Sequence, residues 1–189
     1  TIFDILIGVF ASLSVTKYNF KGKSLLVSFF TSPMFIPSIS FAFVLMRTTA
    51  SIKMFTPFMK ILIGHIVIIL PYIIRNTMSV LINFNWTLED AAASLGANPR
   101  QVFFKITLPL IKPGIISGAM LAFLYSFDEA VISSFLTSAK FTTMPIQIIN
   151  YMEFQFDPTV AAIATILMAS SLIIMLVINK LVGLDSMVN

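Results

Sequence analysis

The sequence predicts an all-α, polytopic membrane helical bundle with five spans, and three observations lead there. Of its 189 residues, 58% are hydrophobic and only 11% charged. A soluble domain is nearer half apolar and a quarter charged, so much of this surface needs lipid as its solvent. The mean hydropathy is +0.97, and the apolar residues come in long runs. Between two of these runs lies the one long polar stretch, and it carries helix caps.

The first span covers residues 2–15, with Asp4 near its start. It is short for a bilayer that needs about 20 residues. The second covers residues 25–46 and contains Pro33 and Pro37, which kink a helix and free carbonyls that neighbouring helices must satisfy. The third covers residues 58–81, with Pro71 inside and Arg75 and Asn76 expected to anchor its inner end. The fourth, residues 106–136, carries Gly114, Gly118 and Ala122 at four-residue spacing. Small residues so placed let helix backbones approach closely in lipid. The fifth covers residues 159–182, and its Ala161, Ala162, Ala164, Ala169, Ser170 and Ser171 are read as a similar packing face. The chain forms one domain, 1–189.

Residues 82–105 form the polar connection. Thr87 is expected to cap a first short helix, with Asp90 closing a capping box. Ala91, Ala92, Ala93, Ser94 and Leu95 carry that helix, and Gly96 stops it. After Ala97, Asn98 caps a second helix, Pro99 suits its first position, and Gln101 completes a second box. Trp86 is expected to bed the loop on the membrane surface. If this loop is cytoplasmic, the inner side collects Lys17, Lys21, Lys23, Arg75, Arg100, Lys105, Lys112 and Lys180. The outer side then holds Arg47, Lys53, Lys60 and Lys140, which is the bias that the positive-inside rule requires.

Residues 137–158 are too polar and too short to span. Thr143 is expected to cap a short helix that starts near Pro145 and lies flat at the outer surface, with Tyr151 and Met152 towards the interface. Glu153 and Asp157 in this stretch are read as solvated charges. Ser126, Asp128 and Glu129 sit well inside the fourth span. Acids at such depth cost a few kcal/mol if they face lipid, so they call for a water-filled path, a cation or a basic partner; the alternative is that they lie near the outer headgroups or cap a broken helix. Adjacent helical positions point about 100° apart, so the two acids serve different neighbours. Asp128 is the first choice for a cationic substrate.

The spacing from Asp90-Ala91-Ala92 to Gly96, Ile106 and Leu108-Pro109 resembles the cytoplasmic loop of bacterial ABC-importer permeases. That loop reads Glu-Ala-Ala, three residues, Gly, nine residues, Ile, one residue, Leu-Pro. Asp90 stands where the family usually has Glu, which keeps the charge on a shorter side chain. Ser126-Phe127-Asp128-Glu129, Phe135 and Thr143-Met144-Pro145-Ile146 are similar to the matching parts of spermidine/putrescine permeases, as is the basic turn Lys17 to Lys23. Glu129 and Met144 depart from that branch's commoner Asp and Leu.

The resemblance implies an inner-membrane permease for a small, cationic solute such as a polyamine. Asp90, Ala91, Ala92, Gly96, Ala97, Asn98 and Pro99 would engage a separate ATPase, and Ser126, Asp128 and Glu129 would line the substrate path. It implies partners as well: ABC ATPase subunits that bind ATP and Mg²⁺, a second permease that is a paralogue, and an extracytoplasmic binding protein. The family places both chain ends inside, so a sixth span is expected upstream of Thr1.

No cofactor is expected in this chain. It has no cysteine and one histidine, His65, so a thiolate or histidine-rich metal site is excluded. His65 is read as packed or lumen-facing. No basic run with interleaved aromatics suggests nucleic acid. A membrane-embedded enzyme would need convergent catalytic groups that the sequence does not offer. A passive channel would have no use for the Asp90 loop. Amino acids, opine-like compounds and sugars are the competing solutes.

Overall fold

A computed structural model describes residues 1–52, 54–139, 141–154 and 158–182. Lys53, Lys140 and Asp157, assigned above to outer segments, lie outside the described residues. Among the described residues the secondary structure is helical: α1 Ile2–Lys17, α2 Lys23–Thr31, α3 Ser38–Ala50, α4 Pro57–Ile82, α5 Thr87–Ser94, α6 Pro99–Val102, α7 Leu108–Asp128, α8 Val131–Leu136, α9 Met144–Phe154 and α10 Thr159–Val182. A lone antiparallel bridge, Ser138 to Phe141, closes a tight turn.

Three helical runs among the described residues are long and apolar enough to cross a membrane: Pro57–Ile82, Pro99–Asp128 and Thr159–Ile178. A fourth arises if α2 and α3 count as one broken span. A short 3₁₀ turn, Ser32–Phe35, interrupts them where Pro33 and Pro37 were expected to act. Proline denies the ladder a donor and crowds the preceding turn, so the helix stops and restarts. α1, at 16 residues, is below spanning length. α4 runs two turns past Arg75 to Ile82, so Arg75 and Asn76 lie inside the helix rather than anchoring its end. Asn76 bonds back to its own helix, Nδ2 donating to the Tyr72 carbonyl at 2.7 Å.

The helices group into two compact units, and α4 and α7 contribute to both. The first unit holds residues 1–32 and 70–122. Its core is Val9, Leu81 and Ile111, with Ile5, Leu13, Phe84, Trp86 and Ile115 packed against it. Trp86 packs against this core, its ring 4.7 Å from that of Phe84 and tilted by 60° to it. Gly114 and Gly118 put α7 directly on the backbone of α4. A Cβ at Gly114 would lie 2.7 Å from the Asn76 carbonyl oxygen, and one at Gly118 would lie 2.9 Å from Ile73 Cα. Ala122 is fully buried on the same stripe. The four-residue spacing is a close-approach face, as the sequence predicts. On α1, Ser12 Oγ lies 2.6 Å from the Gly8 carbonyl and 3.2 Å from that of Ile74, which ties α1 to α4.

The second unit holds residues 33–69 and 123–189. α3 packs along α8, and α4 joins them at Gly64, whose position meets Ile132, Leu45 and Leu136. α9 begins at Met144 as expected, but the Thr143 hydroxyl is buried and unbonded. A capping hydroxyl bonds the second or third helical N–H, and Pro145 removes the former. α10 meets α9, and Val160 and Ile163 line a cavity with Met144, Gln147 and Tyr151 of α9. In the stretch Thr159–Ile178 no residue is buried.

Candidate functional site

Two places carry the polar groups singled out by sequence, one in each unit.

In the first unit, α5 and α6 form the knuckle between α4 and α7. Asn85, rather than Thr87, starts α5: its Oδ1 accepts from the Thr87 amide at 3.1 Å and the Thr87 hydroxyl at 2.6 Å. An Asx side chain two residues ahead folds the turn early, so Thr87 is already helical and cannot act as a cap. The predicted Thr87–Asp90 box does not form. The end of α5 follows the sequence. Gly96 has φ +86°, the Ala97 amide bonds the Ala92 carbonyl at 3.0 Å, and the Gly96 amide bonds that of Ala93 at 3.0 Å. This is the left-handed glycine turn that satisfies the last carbonyls.

The second box also forms. Asn98 Oδ1 accepts from the Gln101 amide and Gln101 Oε1 accepts from the Asn98 amide, both at 2.9 Å, with Pro99 at the first position. Asn98→Ala should cost about 1 kcal/mol and fray this start, as amide exchange at Gln101 would report. α6 does not stand alone. After four residues it passes through a π turn, Phe103–Thr107, into α7. The second short helix is therefore the first turn of the span itself.

Of the two acids that open α5, Asp90 is exposed and Glu89 only 9% exposed. Both favour the positive end of the helix dipole. Glu89 also has two side-chain partners far away in sequence. Lys17 Nζ, at the end of α1, donates to Oε2, and Thr107 Oγ1, at the end of the π turn, donates to Oε1 at 2.6 Å. Lys17 Nζ also lies 5.4 Å from the centroid of the Trp86 ring. A cavity of about 400 Å³ opens beside this group, lined by Lys17, Glu89, Asp90, Ala97, Pro99 and Thr107 among others. At the end of α5 Leu95 is 89% exposed. Glu89, Lys17 and Thr107 were missed by sequence reasoning. Two adjacent acids on a short helix do not announce which one turns inward.

In the second unit, α7 stops at Asp128 and α8 restarts at Val131. The predicted single span 106–136 is thus broken. Glu129, 8% exposed, fills the break: its Oε1 accepts from the Ile132 amide at 2.9 Å. It serves the helix-end role weighed above. His65 of α4 bridges the two sides, with Nδ1 2.8 Å from Ser126 Oγ and Nε2 3.1 Å from Ser133 Oγ. Ser133 Oγ in turn donates to the Glu129 carbonyl at 3.1 Å. With that proton committed, Ser133 receives one from Nε2. His65 is packed, as expected, but its serine partners lie too far along the chain to be read from sequence. Asp128, next to this network, is exposed.

A helical chain with several apolar spans and a capped polar knuckle between two of them defines the class: a polytopic membrane protein. Residues 4–184 match the model of the binding-protein-dependent transport system inner membrane component, and the chain belongs to that family. It is a permease component of an inner-membrane ABC importer. It is 31% identical over 183 residues to the spermidine/putrescine transport system permease protein PotC of Escherichia coli, covering 97% of this chain and 69% of that one. It is 30% identical over 172 residues to the putrescine transport system permease protein PotI of the same organism, covering 87% of this chain and 61% of that one. Similarity extends to the trehalose transport system permease protein SugB of Mycobacterium tuberculosis, 30% identical over 166 residues, with 87% and 61% covered.

Proposed function

We propose that this permease forms the translocation path for a small cationic solute, a polyamine such as spermidine or putrescine. In this reading five spans cross the membrane here, with the knuckle on the cytoplasmic side and α9 along the outer surface. A partner ATPase binds ATP and Mg²⁺ and grips the knuckle at Asp90, Ala91, Ala92, Gly96, Ala97, Asn98 and Pro99. A second permease completes the path, and an outer binding protein delivers the solute. ATP must favour one of two states through its contacts, and the knuckle must carry that preference to the spans.

One observation carries the substrate class: Asp128 is exposed at the break that ends the apolar run Pro99–Asp128, while Glu129 is engaged as a cap. An acid left open at the end of such a run is suited to a polar path. Asp128 then meets the cation, with Ser126 nearby on the same helix. The similarity to polyamine permeases supports the same class. The similarity to a trehalose permease supports a second reading, an uncharged sugar in the same path.

The deciding experiment is ATP hydrolysis by the reconstituted complex, measured with spermidine, putrescine, a cationic amino acid and trehalose on their binding proteins. Stimulation by the polyamines is expected. Asp128→Asn should then weaken spermidine uptake about tenfold or more, the worth of one charge-assisted hydrogen bond. Stimulation by trehalose alone would overturn the polyamine reading and the role of Asp128 together.

A further inference from the structure

Glu89 lies beside the residue that carries the family motif, yet it is the acid that the fold holds. We propose that Glu89 is a positioning residue. By gripping Lys17 on α1 and Thr107 at the head of α7 at once, it makes the knuckle move as one piece with both spans. This rests on the reading of the knuckle as the ATPase contact.

Three features argue for transmission over simple stabilisation. First, both carboxylate oxygens are used, and by partners from two different helices. The ion pair is only half-buried, with the Lys17 side chain 41% exposed, and a pair open to water on one side adds little stability. What it adds is direction: a fixed geometry that pulls as well as pushes. Second, Glu89 and Asp90 point about 100° apart, as adjacent helical residues do. α5 is therefore held on one face by its own chain and left open on another, the arrangement of a part pressed from outside. Third, Thr107 closes the π turn Phe103–Thr107. A π turn inserts an extra residue in the helical ladder and is often found at functional sites.

The test uses the complete complex in proteoliposomes, with spermidine and trehalose as probes. Uptake and ATP hydrolysis are read together as solute moved per ATP. Glu89→Gln and Lys17→Met should keep the ATPase bound and its hydrolysis active, but lower solute per ATP about tenfold, within the usual range of coupling between sites. The exchanged pair Lys17→Glu with Glu89→Lys should restore the ratio. A merely structural contact predicts lower yield or lower thermal stability with an unchanged ratio, and that result overturns the proposal. So does an exchanged pair no better than either single variant. Should Glu89→Gln fail to assemble, Thr107→Val removes only the hydroxyl, and an unchanged ratio there is equally fatal. Gly96→Asp runs beside them. If it transports normally, the knuckle reading itself falls; if it uncouples while Glu89→Gln does not, only the bracket falls.

Discussion

Gly96→Asp is expected to leave the protein inserted and assembled into its membrane form while abolishing uptake. Gly96 sits at φ +86°, and a Cβ there would meet nothing within 4 Å of its own chain. The only cost within the chain is therefore backbone conformation, about 1–2 kcal/mol for an ordinary side chain in the left-handed region. That is too little to undo a bundle packed elsewhere. Asn and Asp tolerate this conformation best and are nearly equal in shape. The pair consequently separates two causes. If the turn fits an ATPase groove that refuses charge, Gly96→Asn retains most transport and Gly96→Asp retains none. If the groove refuses any side chain, both fail. Gly96→Val should fail by strain alone, with altered amide exchange at Ala97. Normal uptake by Gly96→Asp at normal expression would remove the coupling role of the knuckle.

Gly114→Val is expected to have the largest effect on folding. The obstruction is the Asn76 carbonyl oxygen, 2.7 Å from the position of the new Cβ. Backbone cannot rotate aside as a side-chain tip can, so α7 would have to retreat from α4 along the stripe that also holds Gly118 and Ala122. Overpacking of this kind costs about 1–3 kcal/mol. Thermal unfolding in detergent should show a clear fall in midpoint. Leu121→Val, on an exposed part of the same helix, should leave it almost unchanged. Equal stability of the Gly114 and Leu121 variants would mean that the two helices do not meet at this face.

The features legible in sequence were those whose physics is local. Gly96 follows an alanine-rich helix with nothing else able to turn the chain left-handed. Asn98 and Gln101 stand at the two positions that a box requires, with Pro99 at the first helical position. Gly114 and Gly118 repeat at the interval of one helix face in an apolar run. The features that escaped are set by competition or by distance. Asn85 and Thr87 are both good caps two residues apart, and the earlier one won. The interruption after Asp128 has no Gly or Pro to mark it; a buried Glu129 and a histidine from α4 hold it open. The inward turn of Glu89 depends on Lys17, which lies 72 residues away.

α10 adds a different consequence. Over Thr159–Ile178 it averages a hydropathy of 2.6 and none of it is buried by its own chain. Away from the face that meets α9, the described residues place little constraint on the outline of those side chains. Exchange there among Ile, Leu, Val and Met should pass almost unnoticed by the remaining helices. A mutational scan of this segment would then record how well each variant dissolves in hydrocarbon, and only departures from that trend would reveal where a neighbouring subunit leans on it.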